Sequence, residues 1–176
     1  LAGQVALVTE ETDTKVTVAA GASSDLGAGD VVLIADTGAT VTKTNGFTYV
    51  TAGAVDTVTP DSGQVGTEVT IGGTTLRGGG AEVTSASFGG VDATSVTSES
   101  DTEVKVKIGA RAAGVVDVVV IADTGATSTK DDGFTYITAG EITSVEPSSG
   151  QVGTEVVITG TALRGGGSEV DIVALA

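Results

Sequence analysis

Apolar and polar residues alternate most clearly over Glu103-Val-Lys-Val-Lys-Ile108, with Val104, Val106 and Ile108 on one side and Glu103, Lys105 and Lys107 on the other. A period of two predicts a half-buried β-strand. Lys15-Val-Thr-Val18 alternates in the same way. Short Val-, Thr- and Ala-rich runs predict further strands over 55–59, 68–72, 81–88, 94–97, 117–122 and 133–137. Asp117-Val-Val-Val-Ile121 lacks alternation, so a central strand covered on both faces is expected there. Phe134 and Tyr136, two positions apart, should point together into a core. Turns are expected at Pro60-Asp-Ser-Gly63, Gly78–Gly80, Gly89-Gly90 and Asp123-Thr-Gly125, where glycine supplies the positive φ of tight bends. Strands at this spacing predict an all-β sandwich of about seven strands.

The same features return along the chain. SGQVGTEV begins at Ser62 and Ser149, and IADTGAT at Ile34 and Ile121, each pair 87 positions apart. Pro60 and Pro147, GFTY from Gly46 and Gly133, and LRGGG from Leu76 and Leu163 keep that step. A unit of this length can bury its own core, unlike solenoid repeats of about 20–45 residues. The expected organisation is the C-terminal half of one repeat at 1–53, a complete repeat at 54–140, and the N-terminal half of another at 141–176. Leu1-Ala2 matches Leu175-Ala176 two steps later, so the chain reads as a window on a longer array. On this reading each half-repeat is completed either by the continuing polypeptide or by strands borrowed from a neighbouring copy. Short joins, such as Ile137–Ser144, replace any flexible Gly/Ser tether and predict a stiff rod.

The order ITSVEPSSGQVGTEVVITGTALRGGG, then FGGV followed by Ala93, SDTEVKVKI, AGVVDVVVIADTGA and GFTYI resembles the IPT/TIG domain. The resemblance covers 54–140 and both partial repeats, and it implies tandem immunoglobulin-like sandwiches of the E-set type. Asp61 replaces a serine of the first turn, and Leu1 and Leu175 stand where the complete repeat has the corner residue Phe88. The family occurs in plexin ectodomains, some transcription factors and repetitive surface proteins. It implies an interaction or spacer module with no catalytic residues to carry over.

Composition narrows the chemistry. The 176 residues carry 23 acidic and 8 basic side chains, for a net charge of −15. Such a chain repels a phosphate backbone, and Lys15, Lys43, Lys105, Lys107 and Lys130 are too scattered to form a basic patch, so nucleic acid is not an expected partner. No run of about 18 apolar residues is present to cross a bilayer as a helix. Histidine and cysteine are absent, which removes Ser–His and Cys–His nucleophiles, disulfides and thiolate metal sites. Asp123, Asp131, Asp132 and Glu141 could be considered as a glycosidase carboxylate pair, and Asp131–Glu141 as a calcium region. Neither has a recognisable spacing, and the acids are not repeated: Asp131-Asp132 becomes Thr44-Asn45, and Glu141 becomes Ala54. Leu76-Arg-Gly-Gly-Gly80 lacks the Gly-Lys-Ser/Thr of a P-loop and is expected to be a hairpin or crossover. Phe47, Phe88, Phe134, Tyr49 and Tyr136 are all expected at core or corner positions, which leaves no aromatic sugar platform. Asn45, followed by Gly-Phe, is no N-glycosylation acceptor, whereas O-linked glycans on Thr and Ser are compatible with the composition.

No catalytic, cofactor-binding or metal-binding residue is therefore assigned. The expected function is a non-enzymatic repeat unit of an extracellular fibre, filament or surface stalk, with copies of itself or adjacent repeats as partners. The alternative is the spacer region of a cell-surface adhesin or receptor ectodomain whose ligand binds elsewhere.

Overall fold

The computed structural model describes residues 4–175, in which the chain is all β, with no helix among the described residues. Of the matching dipeptides, Leu1, Ala2 and Ala176 lie outside the described residues. The chain divides into two units, Leu1–Thr51 and Ala52–Ala176.

The first unit holds two antiparallel hairpins. β1 (Leu7–Glu11) pairs with β2 (Val16–Ala19), and β3 (Gly27–Ile34) pairs with β4 (Thr40–Tyr49). β2 covers most of the alternating stretch Lys15–Val18, yet none of the described residues of this unit is buried.

The second unit contains a complete sandwich. Its strands are β5 (Ala54–Thr59), β6 (Ser62–Gly63), β7 (Glu68–Thr74), β8 (Val83–Phe88), β9 (Val91–Asp92), β10 (Ser95–Glu99), β11 (Glu103–Lys107), β12 (Gly114–Ala122) and β13 (Thr127–Tyr136). One sheet has the order β10-β11-β7-β5, and the other has β6-β13-β12-β8-β9. Seven strands have five or more residues, the expected number; of the two-residue strands, β6 lies within the turn expected at Pro60–Gly63 and β9 directly follows the turn expected at Gly89-Gly90. A further hairpin, β14 (Glu141–Glu146) with β15 (Val157–Thr161), follows.

Alternation places the core. Val69 and Ile71 of β7 and Val104 and Val106 of β11 project from one sheet; Val118 and Val120 of β12, Phe88 and Phe134 project from the other. All are at least 99% buried and form one cluster. Each such Val or Ile contributes about 1.5–3 kcal/mol, and this burial is what chiefly holds the two layers together. Phe134 meets Phe88 edge-to-face at 5.3 Å and Tyr136 at 5.2 Å, as expected from their shared direction.

Two expectations are corrected. β12 is central but not covered on both faces: Val116, Val118, Val120 and Ala122 are buried, whereas Val119 and Ile121 are half-buried. A two-layer sandwich has nothing over its outer surface, so Val119 is flanked only by Thr129 and Ser87 of the neighbouring strands. The aromatics also divide. Phe88, Phe134 and Tyr136 lie in the core, but Phe47 is 47% exposed because its hairpin, β3–β4, belongs to a unit with no buried core.

Candidate functional site

The acids considered for catalysis or metal binding do not converge. Asp123, in the turn after β12, accepts the Ala81 N–H at 3.2 Å. Asp131 and Asp132 are exposed on β13, and Asp132 N–H donates to Asp117 Oδ1 at 2.9 Å. Asp117 and Asp123 are six residues apart along β12 and its turn, about 20 Å at strand rise. The Asp131-Asp132 pair, opposite Asp117, is therefore too far from Asp123 for a glycosidase pair, whose carboxyls stand about 5–9.5 Å apart. Glu141 opens β14 and is exposed. Among the described residues, no group of three or more Asp or Glu side chains could hold a metal ion.

Leu76–Gly80 is a crossover, carrying the chain from β7 in one sheet to β8 in the other. It is fastened at several points. Leu76 is buried, and its N–H donates to Asp101 O at 2.9 Å. Arg77 reaches Glu99 on β10 with two hydrogen bonds, Nε to Oε2 at 3.0 Å and Nη2 to Oε1 at 2.8 Å. Glu99 Oε2 also accepts the Val83 N–H at 3.0 Å. The hydrogen bonds from Arg77 and then from Val83 hold the Glu99 carboxyl below its ordinary pKa, and Glu99 in turn raises Arg77. Gly80 allows the crossover to lie against Asp123, because a Cβ there would collide with Asp123 Oδ1.

Tyr136 is a different case. Its hydroxyl is buried without a hydrogen-bond partner in the protein, and burial raises its pKa against the lowering effect of Arg111. In the first unit Tyr49, 87 positions earlier, donates to Gly21 O at 3.0 Å. The chain between Gly21 and Gly27 is one residue longer than that between the corresponding Gly109 and Gly114.

The three parts of the chain repeat in register as well as in sequence. β3–β4 pairs Gly27 with Tyr49, Val31 with Lys43 and Ile34 with Thr40, and β12–β13 pairs Gly114 with Tyr136, Val118 with Lys130 and Ile121 with Thr127. The bulge falls at the same place in both. Asp30 Oδ1 accepts Asn45 N–H at 2.9 Å just as Asp117 accepts Asp132, and Asn45 and Asp132 both take a φ of 50°. β14–β15 repeats β5–β7, with Val145 opposite Ile158 as Val58 is opposite Ile71. β1–β2 repeats β10–β11, but 88 positions earlier rather than 87, the difference lying in the longer loop after Gly21.

What differs is cover. Val18 and Leu33 are 46% and 44% exposed, while their counterparts Val106 and Val120 are fully buried. Leu163 is 39% exposed, against 1% for Leu76. Val16, Val18, Val31 and Leu33 line one open groove in the first unit, and Val145, Val156 and Leu175 line another beside β14–β15. Apolar faces of this kind are candidate interaction surfaces. The sequence located their strands and left their exposure undetermined, because alternation is the same in a covered and an uncovered sheet.

Residues 54–136 match the family described as IPT/TIG domain. No curated protein matches the sequence. Among solved structures, the Bacteroides ovatus mixed-linkage glucan utilization locus (MLGUL) SGBP-B in complex with mixed-linkage heptasaccharide is 16% identical, with a TM-score of 0.38, over 75% of this chain and 35% of that one. This chain thus spans about a third of that protein's length. From strand order, buried alternation and the family match together, the segment 54–136 is an IPT/TIG domain of immunoglobulin-like fold.

Proposed function

We propose that this chain is a non-enzymatic structural segment of an extracellular fibre or surface stalk, in which half-repeats at 1–53 and 141–176 flank the complete domain at 54–140. The observation that carries the reading is the return of one strand register, 87 positions apart in β3–β4 and β12–β13 and in β5–β7 and β14–β15, in segments that differ in cover. An array built to span distance can reuse one domain, whereas a recognition module varies one face for its ligand.

Short junctions support rigidity. Four residues lie between Tyr136 and Glu141, and four between Tyr49 and Ala54. Gly140 N–H donates to Gln64 Oε1 at 2.6 Å, tying the junction back to the end of the complete domain. Such a join restrains the following hairpin more than a free tether would. O-linked glycans on exposed Thr and Ser belong to the same reading.

Immunogold labelling of intact, unpermeabilised cells with antibodies against residues 54–140 tests it. Label along thin surface filaments or stalks is the expected result. Label confined to permeabilised cells would overturn the proposal.

A further inference from the structure

We infer that the complete domain is built to refuse strand addition along all four of its sheet edges, so that copies of this chain do not join side by side through their β-sheets. The edge geometry stands apart from the stalk reading, and only its consequence for a stalk rests on that reading.

An outer strand carries a row of unpaired backbone N–H and C=O groups, and the same strand of a second copy is a partner that fits it. β10 and β5 bound one sheet. In the other, β13 and β8 are outer strands along most of their length, because β6 and β9 pair with only two residues of each. Each of these four strands has a bulge, and every time the extra residue sits on the outer strand. It is Thr97 in β10, Asp56 in β5 and Thr84 in β8, while β13 runs from Lys130 to Phe134 opposite Val116–Val118 of β12. The interior strands β7, β11 and β12 carry no extra residue, and β11 pairs with β7 in unbroken register. A bulge leaves a residue unpaired, bends its strand and increases the local twist. The row of groups that an incoming strand would need is thereby broken.

Hydrogen bonds pin these bulges in place. Thr97 Oγ1 donates to Lys105 O at 3.2 Å and Thr84 Oγ1 to Ile121 O at 3.1 Å, each across to the inner neighbour. In β13 the Asp132 N–H is held by Asp117 Oδ1. The arrangement recurs: Thr143, 87 positions after Asp56, is the extra residue of β14 and donates to Thr159 O at 3.1 Å. Thr9, 88 positions before Thr97, does the same in β1 toward Thr17 O.

Charge adds to shape. Asp56, Asp131 and Asp132 are exposed, so pairing of identical edges would set acid against acid. At the start of β8 the Val83 N–H is already taken by Glu99. On the stalk reading, neighbouring stalks therefore lie alongside one another without merging into a shared sheet.

Removing a bulge should open its edge. Deletion of Thr97 leaves Val96 opposite Val106 and Ser98 opposite Lys105 in one continuous ladder. The 176-residue chain has no cysteine, so a nitroxide attaches only at an introduced one, Ser98→Cys on exposed β10 sequence. With Thr97 deleted, dipolar broadening of its spectrum should appear as protein concentration rises and vanish when labelled chain is mixed into excess unlabelled chain. With Thr97 present, the spectrum should not change with concentration. Deletion of Asp56, read from Thr57→Cys, repeats the test on β5. Circular-dichroism melting reports whether each variant is folded. Broadening in a chain that keeps its bulges, or folded deletion variants without broadening, would overturn the inference. Where a deletion does not fold, amide exchange of the undeleted chain decides: outward N–H groups of β10 that stay unprotected at high concentration support the inference, and protected ones overturn it. None of these results bears on the stalk reading, which surface labelling tests independently.

Discussion

Glu99 connects three segments that are remote in sequence: its own strand β10, Arg77 of the crossover and Val83 at the start of β8. Its folded state holds a proton less tightly than the unfolded chain does. The stability it supplies is therefore complete above the ordinary carboxylate range and is lost as pH falls through that range toward the lower folded pKa. Glu99→Gln should lower the melting temperature of the complete domain at pH 7, and the gap from the wild type should narrow toward about pH 3. Circular-dichroism melts at the two pH values check this; parallel curves would contradict it. Tyr136 calls for the opposite substitution. Removing a buried hydroxyl that has no protein partner, while keeping the ring against Phe134, should leave stability unchanged or raise it by up to about 1 kcal/mol, so Tyr136→Phe is expected to melt no earlier than the wild type. Neither property was legible in the sequence. Arg77 and Glu99 are 22 positions apart, and only the crossover's path brings them together.

Strands, turns and crossover were largely legible, because a period of two and clustered glycines express local physics. Val104, Val106 and Ile108 were assigned to one buried face, and they are fully buried. Partner order is a long-range property, so β7 between β5 and β11 could not be read from alternation, nor could the short strands β6 and β9. The outer face of β12 misled because four apolar residues in a row satisfy both a buried strand and a half-covered one. The candidate acids were legible only as residues without a pattern, and the fold disperses them over the turn after β12, strand β13 and the start of β14. Phe47 and Phe134 separate local pattern from cover, since they occupy equivalent strand positions with opposite exposure. Phe134→Ala should destabilise the complete domain by about 3–5 kcal/mol through lost burial and an unfilled cavity. Phe47→Ala should leave the melting of that domain unchanged. Chemical denaturation of the two variants followed by far-ultraviolet circular dichroism checks the contrast, and equal losses would show that Phe47 belongs to the same cooperative unit.

Any association between chains of net charge −15 must overcome their mutual repulsion. Burial of exposed apolar residues such as Val18, Leu33, Phe47 and Leu163 would favour contact. Full burial of one such apolar side chain contributes about 1.5–3 kcal/mol, whereas an ion pair that stays partly exposed contributes about 0–1 kcal/mol. Association costs about 4–15 kcal/mol in lost freedom, so several apolar side chains together can offset it and an ion pair alone cannot. Salt separates these contributions. At 0.01 M ionic strength the screening length is about 30 Å, and repulsion between whole copies is felt; at 0.15 M it is about 8 Å, and only near charges interact. Association should therefore tighten as NaCl rises from about 10 to about 150 mM, and change little thereafter because apolar burial is insensitive to screening. Sedimentation velocity across that series checks the expectation. A steady weakening with salt would mean that attraction between opposite charges, rather than the open apolar faces, holds the copies together.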